Sequence, residues 1–392
     1  MTEVNVPQLA QRVQPLKPSD LRRYSALVQE MGGVNLSQGV CDQPAPEAVK
    51  HAAKAAIDAN HAIYTDLRGL AYLRRAIAEK YERFNGFSVD PETDIVVTCG
   101  SAGAFVCVMM ATLNPGDEVI TFSPGYHYYA ETLGLIGVDV RYVNTRPPDW
   151  RYDSSELAAT VTDRTRMILI NTPCNPSGKV FSESELREIA ALAERHNTWI
   201  LTDEIYEYIT FGVPHVSIAR LPGAAGRTIT VSGPSKTYAV TGWRVGWAVG
   251  PAAVMQKVGI VNDILNICAP APMQHGVLAG LSLPDAYYRD MALDYRRRRD
   301  LLAETLADIG FTPFRADGAF YILAEFPEGR FASAVGAAET ILHKVGVAVV
   351  PAPPFYANPS DGARVLRICF AKSMPELEDG CRRLRQLKSL GV

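Results

Sequence analysis

Between about residues 95 and 250 the chain alternates short β-branched runs with longer stretches of helical periodicity, and this alternation narrows its possible folds most. Strand, helical crossover and strand in repeated order build a mostly parallel sheet covered by helices. Seven runs read as strands, at residues 95–98, 118–122, 138–143, 167–171, 199–202, 228–231 and 244–249. Several are continuously apolar, as strands buried on both faces are, which argues against an open antiparallel sheet. The expected fold is α/β: a three-layer αβα large domain with a mostly parallel seven-stranded sheet.

The helix after the fourth strand is well marked. Ser182 and Glu185 form an S-x-x-E capping box, Leu186, Ile189, Ala190 and Ala193 follow at helical spacing, and the pattern ends near Asn197. The first fifty residues and the tail from about Pro284 keep a different rhythm, punctuated by prolines at 44, 46, 284, 313, 351, 353 and 354. These two ends are expected to pair into a smaller α+β domain, with 48–285 as the large domain and 1–47 plus 286–392 as the small one. A chain of 392 residues suits two domains, since each usually takes roughly 100–200 residues.

A net charge of −3 and a pI near 6.2 provide no positive field to draw the chain onto nucleic acid or anionic lipid. A small-molecule partner is expected. Arg296 to Arg299 lie inside a helical pattern over 287–309 beside Asp294, Asp300 and Glu304, and read as a solvated helix face. Seven cysteines (Cys41, Cys99, Cys107, Cys174, Cys268, Cys369, Cys381) are scattered with no C-x-x-C pair, so no metal site is expected and a reducing, cytoplasmic setting fits. Residues 1–14 lack the apolar stretch of a signal peptide. The longest apolar stretch, 102–113, falls short of the ~20 residues of a membrane helix.

In a parallel sheet, ligands gather beyond the carboxyl ends of the strands. The residues there are unusually polar. Gly100-Ser101-Ala102-Gly103 opens a helix after the first strand, and Thr172-Pro173-Cys174-Asn175-Pro176-Ser177-Gly178 follows the fourth. The fifth strand ends in Thr202-Asp203-Glu204-Ile205-Tyr206. Ser232-Gly233-Pro234-Ser235-Lys236-Thr237 follows the sixth, and Gly242-Trp243-Arg244 precedes the seventh. Singly, each has a plain structural reading as turn, cap or solvated loop. Together they supply what pyridoxal phosphate (PLP) requires: a lysine for a Schiff base, an acid for the pyridine nitrogen and donors for the phosphate.

On these residues the chain resembles the fold-type I PLP enzymes, specifically the class I/II aminotransferases near the bacterial aspartate, aromatic and kynurenine enzymes. The resemblance runs from about Asn35 to Leu387 and is most specific over 235–246, Ser-Lys-Thr-Tyr-Ala-Val-Thr-Gly-Trp-Arg-Val-Gly. It implies that Lys236 forms the internal aldimine and shuttles the proton between substrate Cα and cofactor C4′, its pKa lowered by a cation such as Arg244. Asp203 is implied as partner of the pyridine nitrogen, Tyr206 and Asn175 as partners of the ring oxygen, and Tyr126 as the stacking aromatic. Ser101, Ala102, Gly103, Ser235 and Arg244 are implied for the phosphate, with Tyr64 reaching the phosphate of a neighbouring subunit in a homodimer with shared active sites. Arg367 is implied as the clamp on the substrate α-carboxylate, assisted by Asn175 and the backbone of Gly39.

The departures from the family pattern fall mostly around the substrate. Val40-Cys41 stands where relatives often carry a proline, and Pro351-Ala352-Pro353-Pro354 replaces a Pro-Gly turn before Phe355. Gly233 stands where many relatives have a phosphate-binding serine, which shifts weight to Ser235 and Ser101. The expected reaction is transfer of an amino group from an L-amino acid to a 2-oxo acid. The same scaffold also serves elimination, oxidation or cyclisation of an amino acid. A DNA-binding regulator built on this domain is set aside, since about 34 residues precede the resemblance. Residues 262–275 contain no Arg or Lys to read a second carboxylate; Arg68 and His127 are alternative cations, and Asp66 could attract a basic side chain.

Overall fold

The computed structural model describes residues 7–16 and 20–390; residues 1–6, 17–19 and 391–392 of the expected small domain lie outside the described residues. In chain order the strands are β1 (Val34–Asn35), β2 (Ile95–Thr98), β3 (Glu118–Ser123), β4 (Asp139–Arg146), β5 (Arg151–Tyr152), β6 (Thr165–Asn171), β7 (Trp199–Asp203), β8 (Thr228–Ser232), β9 (Gly246–Val249), β10 (Thr312–Pro313), β11 (Tyr321–Glu325), β12 (Val347–Ala348), β13 (Val350–Pro351) and β14 (Val365–Cys369).

Strands β2 to β9 form one sheet in the order β2-β9-β8-β7-β6-β3-β4-β5. The contacts β4/β3, β3/β6, β6/β7 and β7/β8 are parallel. β9 runs against both β8 and β2, and β5 runs against β4 at the edge. The sheet therefore has eight strands where seven were expected, because the two residues of β5 are too few to carry a pattern. The strand expected over 244–249 starts at Gly246, since Arg244 adopts a left-handed φ of 54° that ends the preceding turn.

Successive residues of each central strand serve opposite layers, as the period of two requires. Met167, Leu169, Leu201 and Ile229 pack with Ala104, Val108, Met255 and Val258 of the helices Gly100–Thr112 and Ala252–Asn266. Ile120, Ile168, Ile170 and Ile200 pack on the other face against Leu186, Ile189 and Ala193 of the helix Glu183–Arg195. The capping box at the start of that helix is formed, with both the Ser182 and Glu185 side chains engaged.

Residues from the two chain ends share one core, in which Tyr24, Val28 and Leu36 meet Leu302, Leu306, Ile341, Leu377 and Leu384. β1 pairs in parallel with β12, and β10, β11, β14 and β13 make a four-stranded antiparallel sheet. In the helix Asp285–Asp308 the arginine run is not uniformly solvated. Arg296 and Arg297 are exposed, but Arg298 is buried, bonded to the Lys372 carbonyl and 2.6 Å from Asp294, and Arg299 caps the Ala316 carbonyl at 3.0 Å. The buried Arg298 guanidinium has the Asp294 carboxylate as counter-charge, although its Nε has no partner. All seven cysteines are free thiols. Among the described residues, no helix is long and apolar enough to cross a membrane.

Candidate active site

The carboxyl ends of β2, β3, β6, β7 and β8 lie along one edge of the sheet. Reversal of β9 brings its first residue to the same edge, Gly246 opposite Thr98, so Arg244 stands beside the start of the helix Gly100–Thr112. Two glycines permit that approach. A Cβ on Gly100, at φ +76°, would lie 2.2 Å from Arg244 Nη2, and one on Gly246 would lie 2.3 Å from the Ser101 amide nitrogen. The departure at Gly233 has a related cause, since a Cβ there would sit 3.0 Å from Gly246 Cα.

This edge opens into a cavity of about 520 Å³. Of the residues singled out in the sequence, Gly39, Ser101, Ala102, Tyr126, Asn175, Asp203, Tyr206, Ser235, Lys236, Arg244 and Arg367 all line it. Gly103 sits in the same first helical turn but does not line the cavity. Tyr64 is 73% exposed and lies outside the cavity.

Lys236 Nζ donates to the Gly39 carbonyl at 2.9 Å. Burial pushes its pKa below the usual lysine range and the Arg367 guanidinium adds to the shift, while Cys41, Cys369 and Asp203 oppose it. The cation near the amine is thus Arg367 rather than Arg244, whose Nη1 is bonded to the Thr241 carbonyl at 2.9 Å. Asp203 accepts from Tyr129 Oη at 2.5 Å and from the Ile205 amide at 3.1 Å. Withdrawal of its carboxylate from water pushes the pKa up to about 6 against those two bonds. Tyr206 Oη lies 3.2 Å from Tyr321 Oη, and burial raises the Tyr206 phenol well above its usual range, so it stays protonated.

Arg367 is 2% exposed. Its Nη1 donates to Asn175 Oδ1 at 3.1 Å and its Nη2 to the Ser37 carbonyl at 2.8 Å, while Nε is buried with no partner. The guanidinium carbon lies 4.5 Å from the Tyr321 ring centre and 4.8 Å from that of Phe355. Among the described residues no carboxylate pairs with it. A buried cation without a counter-ion is costly and calls for an anion from outside. Asn175 is held in turn, its amide donating to Asn171 Oδ1 at 2.7 Å, while Asn171 Nδ2 donates to the Asp203 carbonyl at 3.0 Å.

Two participants escaped the sequence reading. Tyr129 holds Asp203, and Tyr321 underlies Arg367 and Tyr206. Both sit in aromatic stretches that look like core, although Tyr129 stands only three residues after the singled-out Tyr126. The alternative cations are also resolved. Arg68 is tied to Asp66 and to the Glu92 carbonyl. His127 lines the cavity, but burial, aided by Arg367, pushes its pKa down to about 4, so it is neutral at pH 7.

The donor set suits PLP. Helix amides, Ser101, Ser235 and Arg244 gather at one end of the cavity as a dianion would need, the glycines keep that cradle open, and Asp203 and Lys236 supply acid and amine.

Comparison with known proteins agrees with this geometry. The family model for aminotransferase class I and II matches residues 32–384. A probable N-succinyldiaminopimelate aminotransferase of Mycobacterium tuberculosis is 34% identical over 389 residues, covering 96% of this chain and 98% of the relative. An arginine–pyruvate transaminase of Pseudomonas aeruginosa is 37% identical over 352 residues, covering 89% of this chain and 88% of the relative. A solved Escherichia coli structure, described as having a methionine aminotransferase function, superposes with a TM-score of 0.93 at 31% identity, covering 97% of this chain and all of that one. The chain belongs to the class I and II aminotransferase family, whose members use PLP. Its activity is amino-group transfer, and the enzyme is a transaminase.

Proposed function

We propose that this chain binds PLP through Lys236 and moves the amino group of an L-amino acid to a 2-oxo acid. The observation that carries the reading is Arg367: a buried guanidinium, lacking any carboxylate partner among the described residues, in the cavity that holds Lys236 and Asp203. A paired, planar contact with an α-carboxylate would satisfy it.

Bound PLP supplies an aldehyde for amine exchange and a ring that draws electrons from the substrate Cα. The protein does the rest. Ser101, Ala102, Gly103, Ser235 and Arg244 hold the phosphate, and Tyr126 supports the ring face. Asp203, ionised, holds the proton on the ring nitrogen, with Tyr129 fixing the carboxylate. Tyr206 and Asn175 donate to the ring oxygen. Arg367, Asn175 and the Gly39 segment orient the substrate by its carboxylate. Once the substrate amine has taken its place on the cofactor, Lys236 Nζ, depressed in pKa and close to Gly39, would take the proton from Cα.

The same reading divides the chain into a large domain (48–285) and a small domain (1–47 with 286–392). It also makes the enzyme a cytoplasmic homodimer in which Tyr64 crosses to the phosphate of the other subunit. Exposed Ile63, Tyr64 and Ile264, at 81%, 73% and 77%, support such a contact.

Mixing the yellow holoenzyme with each amino acid, and assaying for oxo acid, ammonia and peroxide, tests the reaction. Oxo acid with amine retained on the cofactor is expected. Ammonia or peroxide in stoichiometric amounts would replace transfer by elimination or oxidation.

A further inference from the structure

We propose that Tyr287, Tyr295 and Cys41 are positioning residues, which bond the free carbonyls of the Lys236 turn and so hold the Lys236 amine against the Gly39 segment. This rests on the transaminase reading above, in which Lys236 carries the cofactor.

Lys236 sits in a helix of four residues, Pro234–Thr237. The last carbonyls of any helix lack partners within it and must find them elsewhere. Here the Pro234 carbonyl accepts from the Tyr238 amide at 2.9 Å, and the Ser235 carbonyl from the Val240 amide at 3.2 Å. The chain then turns through Ala239 at a φ of 54°, and among the described residues no backbone amide reaches the carbonyls of Lys236 or Thr237. Side chains take the place of those amides. Tyr287 Oη donates to the Thr237 carbonyl at 2.6 Å. Cys41 Sγ donates to the Lys236 carbonyl at 3.8 Å, a weak bond in itself, and Tyr295 Oη donates to that sulfur at 3.3 Å. Burial pushes the Cys41 thiol up, so its proton is retained.

The weak bond gains its effect by closing a ring. Cys41 stands two residues after Gly39, whose carbonyl accepts from Lys236 Nζ at 2.9 Å. Main chain and amine of the same lysine are therefore both bonded to the segment 39–41. Tyr287 and Tyr295 belong to the one helix Asp285–Asp308, which grips the turn directly and through Cys41. Cys41 also lies in one of the departures from the family pattern, so the sulfur contact is not one that the resemblance implied.

Released from this clamp, the amine can turn into the open cavity of about 520 Å³. Water then returns to it, and its pKa moves back toward the usual lysine range, because burial is the chief cause of the depression. The groups around Nζ are Cys41, Cys369, Arg367, Asp203 and Tyr206. Y287F and Y295F leave all of them in place, so a shift in these variants reports where the amine sits.

The test reads Lys236 in the apoprotein by competitive acetylation across pH, with the labelled peptide quantified by mass spectrometry. Tyr288 meets the same turn through Tyr238 Oη at 2.8 Å but bonds neither free carbonyl, so Y288F controls for general loosening. Y287F, Y295F and C41A should raise the Lys236 midpoint by about half a unit to one unit. C41S should restore it, and Y288F should leave it at the wild-type value. The same three variants should capture PLP about three- to tenfold more slowly at pH 7, as the deprotonated fraction of the amine falls. Their affinity for pyridoxamine 5′-phosphate, which forms no bond to the lysine, should stay at the wild-type value. If Y295F fails to fold, Y287F and the C41A and C41S pair decide. Wild-type midpoints in Y287F and C41A would overturn the clamp and leave the transaminase reading intact. So would C41S no nearer wild type than C41A, a Y288F shift as large as the others, or equal losses for the two cofactor forms. Wild-type apoprotein that takes up PLP at a different lysine would overturn that reading and this proposal together.

Discussion

Asp203 and Glu204 are neighbours in sequence, yet they belong to two ionic clusters on opposite sides of the end of β7. Glu204 faces a closed cluster. Its Oε1 accepts from Ser217 at 2.9 Å and Thr202 at 3.1 Å, and its Oε2 lies 3.0 Å from His215 Nε2. Glu207 beside it accepts from Lys80 at 2.5 Å, Asn85 at 3.0 Å and Ser232 at 2.8 Å. Glu204, Glu207 and His215 have ligand atoms within 4.8 Å of one another, as a metal site would, but the Lys80 ammonium already supplies a cation there. On the cavity side, Asp203, Lys236 and Arg367 leave charge unmatched by other side chains. Charges satisfied inside the protein hold strand ends in place; charges left open await a ligand.

The comparison can be broken first at Lys236. Lys236→Ala should abolish steady turnover and the borohydride-reducible lysine adduct, while the denaturation midpoint of the apoprotein stays near wild type. Normal turnover with an adduct at another lysine would remove Lys236 from the role. The closed cluster predicts the reverse pattern. Glu207→Ala strands the Lys80 ammonium and should cost ~3–5 kcal/mol of stability, measured by denaturant unfolding. A loss below about 1 kcal/mol would mean the cluster is not closed to water.

Asp203→Asn should keep the fold and lose ~2.7–4 kcal/mol of transition-state stabilisation, as removal of one preorganised charge does. A rate change under about tenfold, or ~1.4 kcal/mol, would rule out the ring-nitrogen role. The same residue gives a pH signature. With its pKa near 6, Asp203 is neutral below that pH and cannot pair with a protonated ring nitrogen. PLP affinity of the apoprotein should therefore rise as pH increases toward 6, and the advantage of wild type over Asp203→Asn should shrink by up to about tenfold for each pH unit below 6. Smallest of all, Tyr206→Phe removes one neutral donor and should lower the rate by less than about tenfold.

Most of this was readable in the chain because the central strands are unbroken apolar runs, such as Met167 to Ile170, and because polar residues follow each at the sheet's edge. What was not readable depends on contacts distant in sequence. Arg298 looked solvated within its arginine run, since nothing local announces the Lys372 carbonyl that it caps. Arg244 looked like the first residue of an apolar strand, although the chain turns through positive φ there. Tyr321 carries no motif, and its place beside Gly39, where a Cβ would lie 1.7 Å from its hydroxyl, follows only from the packing of β11.

The reversed strand β9 also bears on the order in which the enzyme assembles. β8 and β9 are joined by the short segment that carries Lys236 and Arg244, so pairing Val231 with Ala248 closes a small loop. The Arg367 contact with the Ser37 carbonyl instead spans 330 residues. Loop closure grows costlier with length, so pulse-labelled amide exchange should find Val231 and Ala248 protected before Cys369, whose amide donates to the Leu36 carbonyl at 2.8 Å. The phosphate anchor would then exist before the carboxylate clamp, leaving a nascent chain able to capture its cofactor before it can recognise a substrate.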